Sequence, residues 1–358
     1  MKKVLIVTGG SGGHVIPALS IFDHLKNDFV TKIITDIRGT NFINSKKYHY
    51  DLINVPNVFS KFYLLPINLI KILFSIYKLF LYLKINNINI LISTGGYMSL
   101  PICIAAKILR IKIILFEPNS VIGRANRLLL NICYKIICYD KDLKLLPVKY
   151  NDKVYLIDRI LRKEIYLSNK NNKKDFGELK KILVLGGSQG ANFFNKNITN
   201  LVLNISKKFK LEIYQQSIDN NEKKIIGEKY NHAGIKYSLF KFDENLLQKI
   251  TNFDFAITRS GATSISELSY LNIPFLAIPF PYSKDDHQYF NAKYYEIRNC
   301  CWLVRQNDFD LVKIESLIIN LFNEKADYFK KKENLEKISN QNTWNNVNKK
   351  LIDLINEN

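Results

Sequence analysis

At 358 residues, 47% hydrophobic and 23% charged, the chain has ordinary globular composition and enough length for two domains with separate cores. Its net charge of +20 (52 basic, 32 acidic residues) admits a polyanionic substrate or an anionic lipid surface; a nucleic-acid partner is set aside because the Lys-Lys doublets are scattered, without a platform of aromatics and arginines. The five cysteines, at 103, 133, 138, 300 and 301, form no C-x-x-C pair, which excludes a zinc knuckle and leaves small buried hydrophobes in a reduced compartment.

Val4–Thr8 reads as a strand, too short an apolar run for an export signal, and it feeds Gly9-Gly10-Ser11-Gly12-Gly13-His14 and an apolar helix start. Such glycines let the backbone approach a ligand, and the helix N-terminus offers N–H groups and a positive dipole end to a phosphate. Ser11 is placed to cap that helix. His14 at its start is either a general base or a hydrogen-bonded structural histidine. A strand at Thr31–Thr35 follows. Phe62–Ile85 is apolar and aromatic, with Lys71 and Lys78 seven apart on one face. Those lysines argue against a span, and the segment fits a core-facing helix or an interfacial membrane helix, with Leu73 and Phe80 as the inserting side chains.

Ile88–Ser93 runs into Thr94-Gly95-Gly96-Tyr97, where the glycines permit close approach and Tyr97 offers a hydroxyl and a ring to a sugar. Ile111–Phe116 runs into Glu117-Pro-Asn-Ser-Val-Ile-Gly-Arg-Ala-Asn-Arg127, and Tyr134–Cys138 is the next strand. These loops sit at carboxyl ends of strands, where α/β sheets bind ligands. The polar stretch 168–178 reads as a linker or the end of one. The pattern then repeats. Ile182–Leu185 feeds Gly186-Gly187-Ser188-Gln189-Gly190, and strands follow at Leu211–Gln215, Phe253–Thr258 and Phe275–Ile278.

After Thr258 comes Arg259-Ser-Gly-Ala-Thr-Ser-Ile-Ser-Glu267, in which Glu267 either holds ribose hydroxyls or caps a helix. Asp285-Asp286 has no third ligand at metal spacing and reads as a solvated loop. His287-Gln288-Tyr-Phe-Asn291 adds polar groups beyond the last strand, and 328–358 is helical in pattern, a candidate to pack back on the first half. Continuous apolar strands alternating with helices make the fold class α/β, two Rossmann-like parallel-sheet domains facing each other across a cleft. The expected domains are 1–162, with 335–358 returning to it, and 163–334.

Six motifs in order resemble the MurG family: the glycine-histidine loop, Thr94–Pro101, Glu117–Arg127, Gly186–Ala191, Arg259–Glu267 and His287–Ala292. The resemblance spans residues 3–306. It implies a GT-B enzyme that transfers GlcNAc with inversion from UDP-GlcNAc to the MurNAc 4-hydroxyl of lipid I (undecaprenyl-pyrophosphoryl-MurNAc-pentapeptide), using no metal or cofactor and working peripherally on the cytoplasmic face of an anionic inner membrane. The alternatives are another UDP-GlcNAc-using GT-B enzyme and a catalytically decayed membrane scaffold.

The resemblance further implies residue roles. Ser11, Gly12 and Gly13 face diphosphate and acceptor. His14 is the base, with Glu117 the next candidate, and Tyr97 and Asn126 stand around the acceptor. Asn119 contacts the donor sugar. Ser188, next to Gln189, and Arg162 hold diphosphate oxygens. Ala262, Thr263, Ser264, Ile265, Ser266 and Glu267 hold the nucleoside, with Glu267 on the ribose, and Gln288 and Asn291 take GlcNAc hydroxyls. The chain departs from the family pattern at Pro118, where Gln is usual, at Asp158-Arg159-Ile160, where Gly-Asn-Pro is usual, and at Asp243, where an apolar residue offers its backbone to uracil.

Overall fold

The structure, a computed structural model, describes residues 1–53, 55, 65–172, 175, 177–187, 191–241, 243 and 246–357. They form two units, Met1–Lys163 with Thr343–Asn358, and Glu164–Asn342.

The first unit is built on seven parallel strands: β1 (Lys3–Val7), β2 (Val30–Thr35), β3 (Tyr50–Leu52), β4 (Ile90–Ser93), β5 (Lys112–Phe116), β6 (Lys135–Cys138) and β7 (Val154–Leu156). Their order is β3-β2-β1-β4-β5-β6-β7. Central strands such as β1 and β4 are almost wholly apolar and buried, Val4–Val7 and Ile90–Ile92, as strands covered on both faces of a parallel sheet are. The order reverses between β1 and β4, so the loops after these two strands lie side by side, and that crevice is where open α/β sheets take ligands. The loops are tied at once, since Thr94 N donates to Val7 O at 3.0 Å.

The helices of this unit begin with α1 (Gly12–Leu25), α2 (Leu65–Ile85), α3 (Ser99–Ile108) and α4 (Arg124–Leu129). α2 is about 31 Å long by its rise per residue. Leu79 and Leu83 are buried in the first unit's core, and Ile76 and Phe80 pack against it. On the other side Ile70, Leu73, Phe74 and Tyr77 are exposed. The core-facing reading holds for one side of the helix, where Phe80 packs inward, and Tyr77 lies with Leu73 on the exposed side. Among the described residues, no helix is long and apolar enough to cross a membrane. Residues 62–64 of the segment lie outside the described residues.

The second unit repeats the plan with β8 (Leu179–Leu185), β9 (Lys210–Gln216), β10 (Lys236–Phe240), β11 (Phe255–Thr258), β12 (Phe275–Ala277) and β13 (Trp302–Leu303), all parallel, in the order β10-β9-β8-β11-β12-β13. Its switch point lies between β8 and β11, where Arg259 N donates to Leu185 O at 3.0 Å. Asn171, in the polar stretch after the first half, is buried in this unit and donates to Phe253 O at 2.7 Å.

The helical C-terminus is two helices, Ala326–Ser339 in the second unit and Trp344–Asn356 in the first. Thr343 caps the latter by accepting from Asn346 N, and Trp344 stacks on His24 of α1 at 3.6 Å. All five cysteines are buried free thiols, and burial pushes Cys138 up to about 12 and Cys300 up to about 11.

Candidate active site

At the first switch point, β1 ends in a turn with Gly10 at φ +81°, and α1 starts at Gly12. Ser11 stands at the cap position, but its hydroxyl makes no capping hydrogen bond. It starts the helix through its carbonyl, which accepts from His14 N and Val15 N, and its side chain stays exposed.

His14 Nδ1 lies 2.7 Å from Thr94 O. A carbonyl only accepts, so Nδ1 carries the proton, and in the neutral ring Nε2 holds the lone pair. Gly95 and Gly96, at φ +90° and +86°, close around this ring. A Cβ on Gly95 would sit 3.2 Å from His14 Cε1, and one on Gly96 would sit 3.7 Å from His14 Cδ2. The close approach that this glycine pair permits is therefore to the imidazole.

Glu117, at the end of β5, is buried with both oxygens engaged. Oε1 accepts from Asn119 N at 3.2 Å and Asn119 Nδ2 at 2.9 Å; Oε2 accepts from Gly123 N at 2.7 Å and Asn126 Nδ2 at 3.0 Å. Burial raises its pKa against the pull of these donors. The carboxylate is thus the hub that folds the Glu117–Arg127 loop and orients both asparagines. Asn126 also donates to Phe116 O, while its Oδ1 is buried with no partner among the described residues.

Asp36, beyond the end of β2, is a site residue that no sequence motif marks. It accepts from Gly10 N, Gly39 N, Arg38 Nε and the Tyr97 hydroxyl. Its only signal is an aspartate that closes an apolar strand three residues before a lone glycine.

In the second unit, Gly187 sits at φ +65° and its N–H donates to Gln216 Oε1 at 3.0 Å. Ser188 and Gln189 lie outside the described residues. Arg259 is buried between the rings of Phe193, Phe194 and Phe280. It donates to Ile278 O and Pro279 O, both at 3.0 Å, and to Gln306 Oε1 at 2.6 Å, with no carboxylate pairing among the described residues. Burial pushes it down to about 10, so it remains a cation at neutral pH.

The helix Ala262–Tyr270 starts just beyond, with Gly261 at its cap. Glu267 is its sixth residue and is buried, so it does not cap the first turn. Thr263 and Ser264 are half-buried at the helix start, Ile265 is core, and the Ser266 hydroxyl donates back to Ala262 O at 2.6 Å. Gln288 and Asn291 converge on Ser260: Gln288 Oε1 accepts from Ser260 N at 3.2 Å and Phe280 N at 3.0 Å, and Asn291 Nδ2 donates to Ser260 O at 3.1 Å. They brace the Arg259–Gly261 turn.

Asp243 turns its carboxylate to the Tyr214 hydroxyl and to Lys249 Nζ at 2.9 Å. Asp286 pairs with Arg305 at 2.8 Å. Arg162 is half-buried, one residue before Lys163, where the first unit's N-terminal segment ends.

Residues 4–138 match the glycosyltransferase family 28 N-terminal domain and residues 181–347 its C-terminal domain, so the chain is a family 28 glycosyltransferase. It is 40% identical over 363 residues to a UDP-N-acetylglucosamine--N-acetylmuramyl-(pentapeptide) pyrophosphoryl-undecaprenol N-acetylglucosamine transferase of Pelagibacter ubique, covering 100% of this chain and 99% of that one. A Rickettsia bellii protein of the same name is 33% identical over 336 residues, covering 90% and 91%.

The chain belongs to this transferase family, the MurG family. The crystal structure of Acinetobacter baumannii MurG shares its fold at TM-score 0.77 and 20% identity, covering 99% of each chain, which sets the fold as GT-B. A Neisseria meningitidis UDP-GlcNAc 2-epimerase bound to UDP-GlcNAc has TM-score 0.67 at 16% identity, covering 99% of this chain and 100% of that one, and shares the fold alone.

Proposed function

We propose that this chain transfers GlcNAc from UDP-GlcNAc to the MurNAc 4-hydroxyl of lipid I, giving lipid II. The observation that carries the chemistry is the 2.7 Å contact of His14 Nδ1 with Thr94 O. Its Nδ1–H is spent on Thr94 O, so Nε2 is the basic atom and accepts the hydroxyl proton as the sugar oxygen attacks the anomeric carbon. The C1–O bond to UDP breaks from the opposite face, and an α-linked donor becomes a β-glycoside. Glu117 does not serve as a second base in this reading, because all four of its hydrogen bonds arrive from donors. It sets Asn119 and Asn126. The negative charge on departing UDP is met by the second unit: the Gly187 turn, the N-terminus of Ala262–Tyr270 and the Arg259 cation. Glu267 takes the ribose hydroxyls, and Gln288, through its amide nitrogen, a GlcNAc hydroxyl.

The test is whether radiolabelled GlcNAc moves from UDP-GlcNAc to a short-chain lipid I analogue. Transfer is expected. Binding of UDP-GlcNAc without turnover would mean a decayed scaffold, and conversion of the sugar nucleotide to its 2-epimer would mean an epimerase.

The lipid acceptor also calls for a membrane surface. The exposed α2 face, with Ile70 at 67%, Leu73 at 59%, Phe74 at 56% and Tyr77 at 58% exposure, is bordered by Lys71, Lys78 and Lys84 and suits the interface of an anionic leaflet. Leu73→Glu with Tyr77→Glu is expected to release the chain from anionic vesicles without unfolding it. Unchanged flotation with such vesicles would remove α2 from the contact.

A further inference from the structure

Asp36 joins three loops at the first switch point through one buried carboxylate. Oδ1 accepts from Gly10 N, in the turn after β1, and from Gly39 N, beyond β2, both at 2.8 Å. Oδ2 accepts from Arg38 Nε at 3.3 Å and from the hydroxyl of Tyr97, in the loop after β4. Asp36 is 1% exposed. Burial works against its charge, yet Tyr97, Gly10, Gly39 and Arg38 together hold its pKa below the ordinary value. Its contacts leave no room for side chains around it. A Cβ on Gly9 would sit 2.7 Å from Oδ1, and one on Gly39 would sit 3.2 Å from it.

The two oxygens divide the work. Oδ1 holds backbone, and Oδ2 aims two side chains. The Arg38 guanidinium lies 4.6 Å from the centre of the Tyr97 ring, its side chain 55% exposed, and a Cβ on Gly10 would sit 3.8 Å from Arg38 Nη2. A phenol and a cation are thereby presented together over the glycine turn.

We propose that Asp36 is a positioning residue for acceptor recognition, holding Arg38, with the Tyr97 ring braced beside it, toward the diphosphate of a lipid-linked acceptor. This rests on the reading that the first unit binds the acceptor. Asp36→Asn separates the two tasks. The amide oxygen still accepts from Gly10 N and Gly39 N, but the amide nitrogen cannot accept from Arg38.

The measurement uses the full chain and a short-chain diphosphate-linked acceptor. Calorimetric Kd and KM for the acceptor, KM for UDP-GlcNAc and the melting curve are read together. Asp36→Asn is expected to weaken acceptor binding about tenfold, the loss of a charge-assisted contact, with donor KM unchanged. Tyr97→Phe is expected to cost less in the Asp36→Asn background than alone, because the two act as a unit. Should Asp36→Asn melt early, Arg38→Met, on an exposed side chain, carries the same expectation. Wild-type acceptor affinity in both variants overturns the assignment of Asp36 alone, as does an equal rise of donor and acceptor KM, which marks a merely structural role. A wild-type chain that does not bind the acceptor at all overturns it together with the reading beneath it.

Discussion

The two switch points share a topology and differ in buried charge. In each, the segment ending the second strand brings a side-chain acceptor to the second glycine of the loop. In the first unit it is the Asp36 carboxylate on Gly10 N, and in the second the neutral Gln216 amide on Gly187 N. The first site holds a second buried carboxylate, Glu117. The second holds the buried Arg259 guanidinium, whose described hydrogen bonds all go to neutral oxygens. A carboxylate surrounded by donors fixes loops without leaving a net field for an anion. A guanidinium bonded only to neutral groups keeps its charge, and that charge adds to the helix N-terminus beside it. The same fold thus makes one switch point whose buried charges are carboxylates met by donors, with its cation, Arg38, at the surface, and another whose cation, Arg259, is buried.

The widest test of this division is His14→Ala. Removing a general base costs about 10²–10⁴-fold in kcat, and donor KM is expected to move little if, as proposed, the donor contacts come from the other unit. Steady-state kinetics with both substrates varied separates the two. If the variant kept more than about a tenth of wild-type kcat, the base would lie elsewhere, and the tautomer argument would lose its consequence.

Much of this contrast was legible in the sequence, and what was not has a physical cause. Nine strands can be read from continuous apolar runs. The four left unread, β3, β7, β10 and β13, are the edges of the two sheets: β3 and β10 are broken by polar residues, Tyr-Asp-Leu and Lys-Tyr-Ser-Leu-Phe, and β7 and β13 are only three and two residues long. The glycine loops and His14 announce themselves because tight turns restrict residue choice. What the Gly95-Gly96 pair accommodates does not, since its neighbour, the His14 ring, is 81 residues away in the chain (95 − 14). Asp36 is silent for the same reason: its partners Gly10 and Tyr97 are distant in sequence and meet only through strand order. The Phe80 expectation failed because seven-residue lysine spacing locates a polar stripe but not the boundary between the apolar face that meets the core and the one that does not.

The units are also expected to differ in acid. His24, stacked under Trp344 and beside Asn348, is pushed down to about 4, chiefly by burial. Between its ordinary value and about 4, the unfolded chain takes a proton that the folded first unit refuses. Stability of that unit therefore falls as pH drops through this window, by up to about 3 kcal/mol. Hydrogen exchange at pH 7 and near pH 4.5 is expected to show the α1 and Trp344–Asn356 amides opening first, and His24→Phe to remove most of that dependence. Second-unit amides that opened first, or a slope that survived His24→Phe, would place the acid sensitivity elsewhere.

Glu267→Ala probes the other side of the comparison. Loss of a charge-assisted bond to ribose is expected to weaken UDP-GlcNAc binding by about 1.5–3 kcal/mol, with acceptor KM unchanged. Calorimetry showing wild-type donor affinity would remove Glu267 from the site.

The finest test is of Arg259 itself. Arg259→Met keeps an unbranched chain among Phe193, Phe194 and Phe280 and removes the charge. Gly187 lies against the arginine, a Cβ there falling 3.8 Å from its Cγ, so a diphosphate on this turn would sit close above the cation. Direct contact is not required, because a charge in a poorly screened interior acts over several ångströms. The expected loss is about tenfold in affinity for UDP, about 1.4 kcal/mol. Uridine, which lacks the phosphates, should bind the variant as it binds the wild type. That pairing separates charge from packing. If uridine and UDP weakened equally, Arg259 would be holding the Ile278–Pro279 carbonyls and nothing more, and the electrostatic contrast between the two switch points would rest on the helix N-terminus alone.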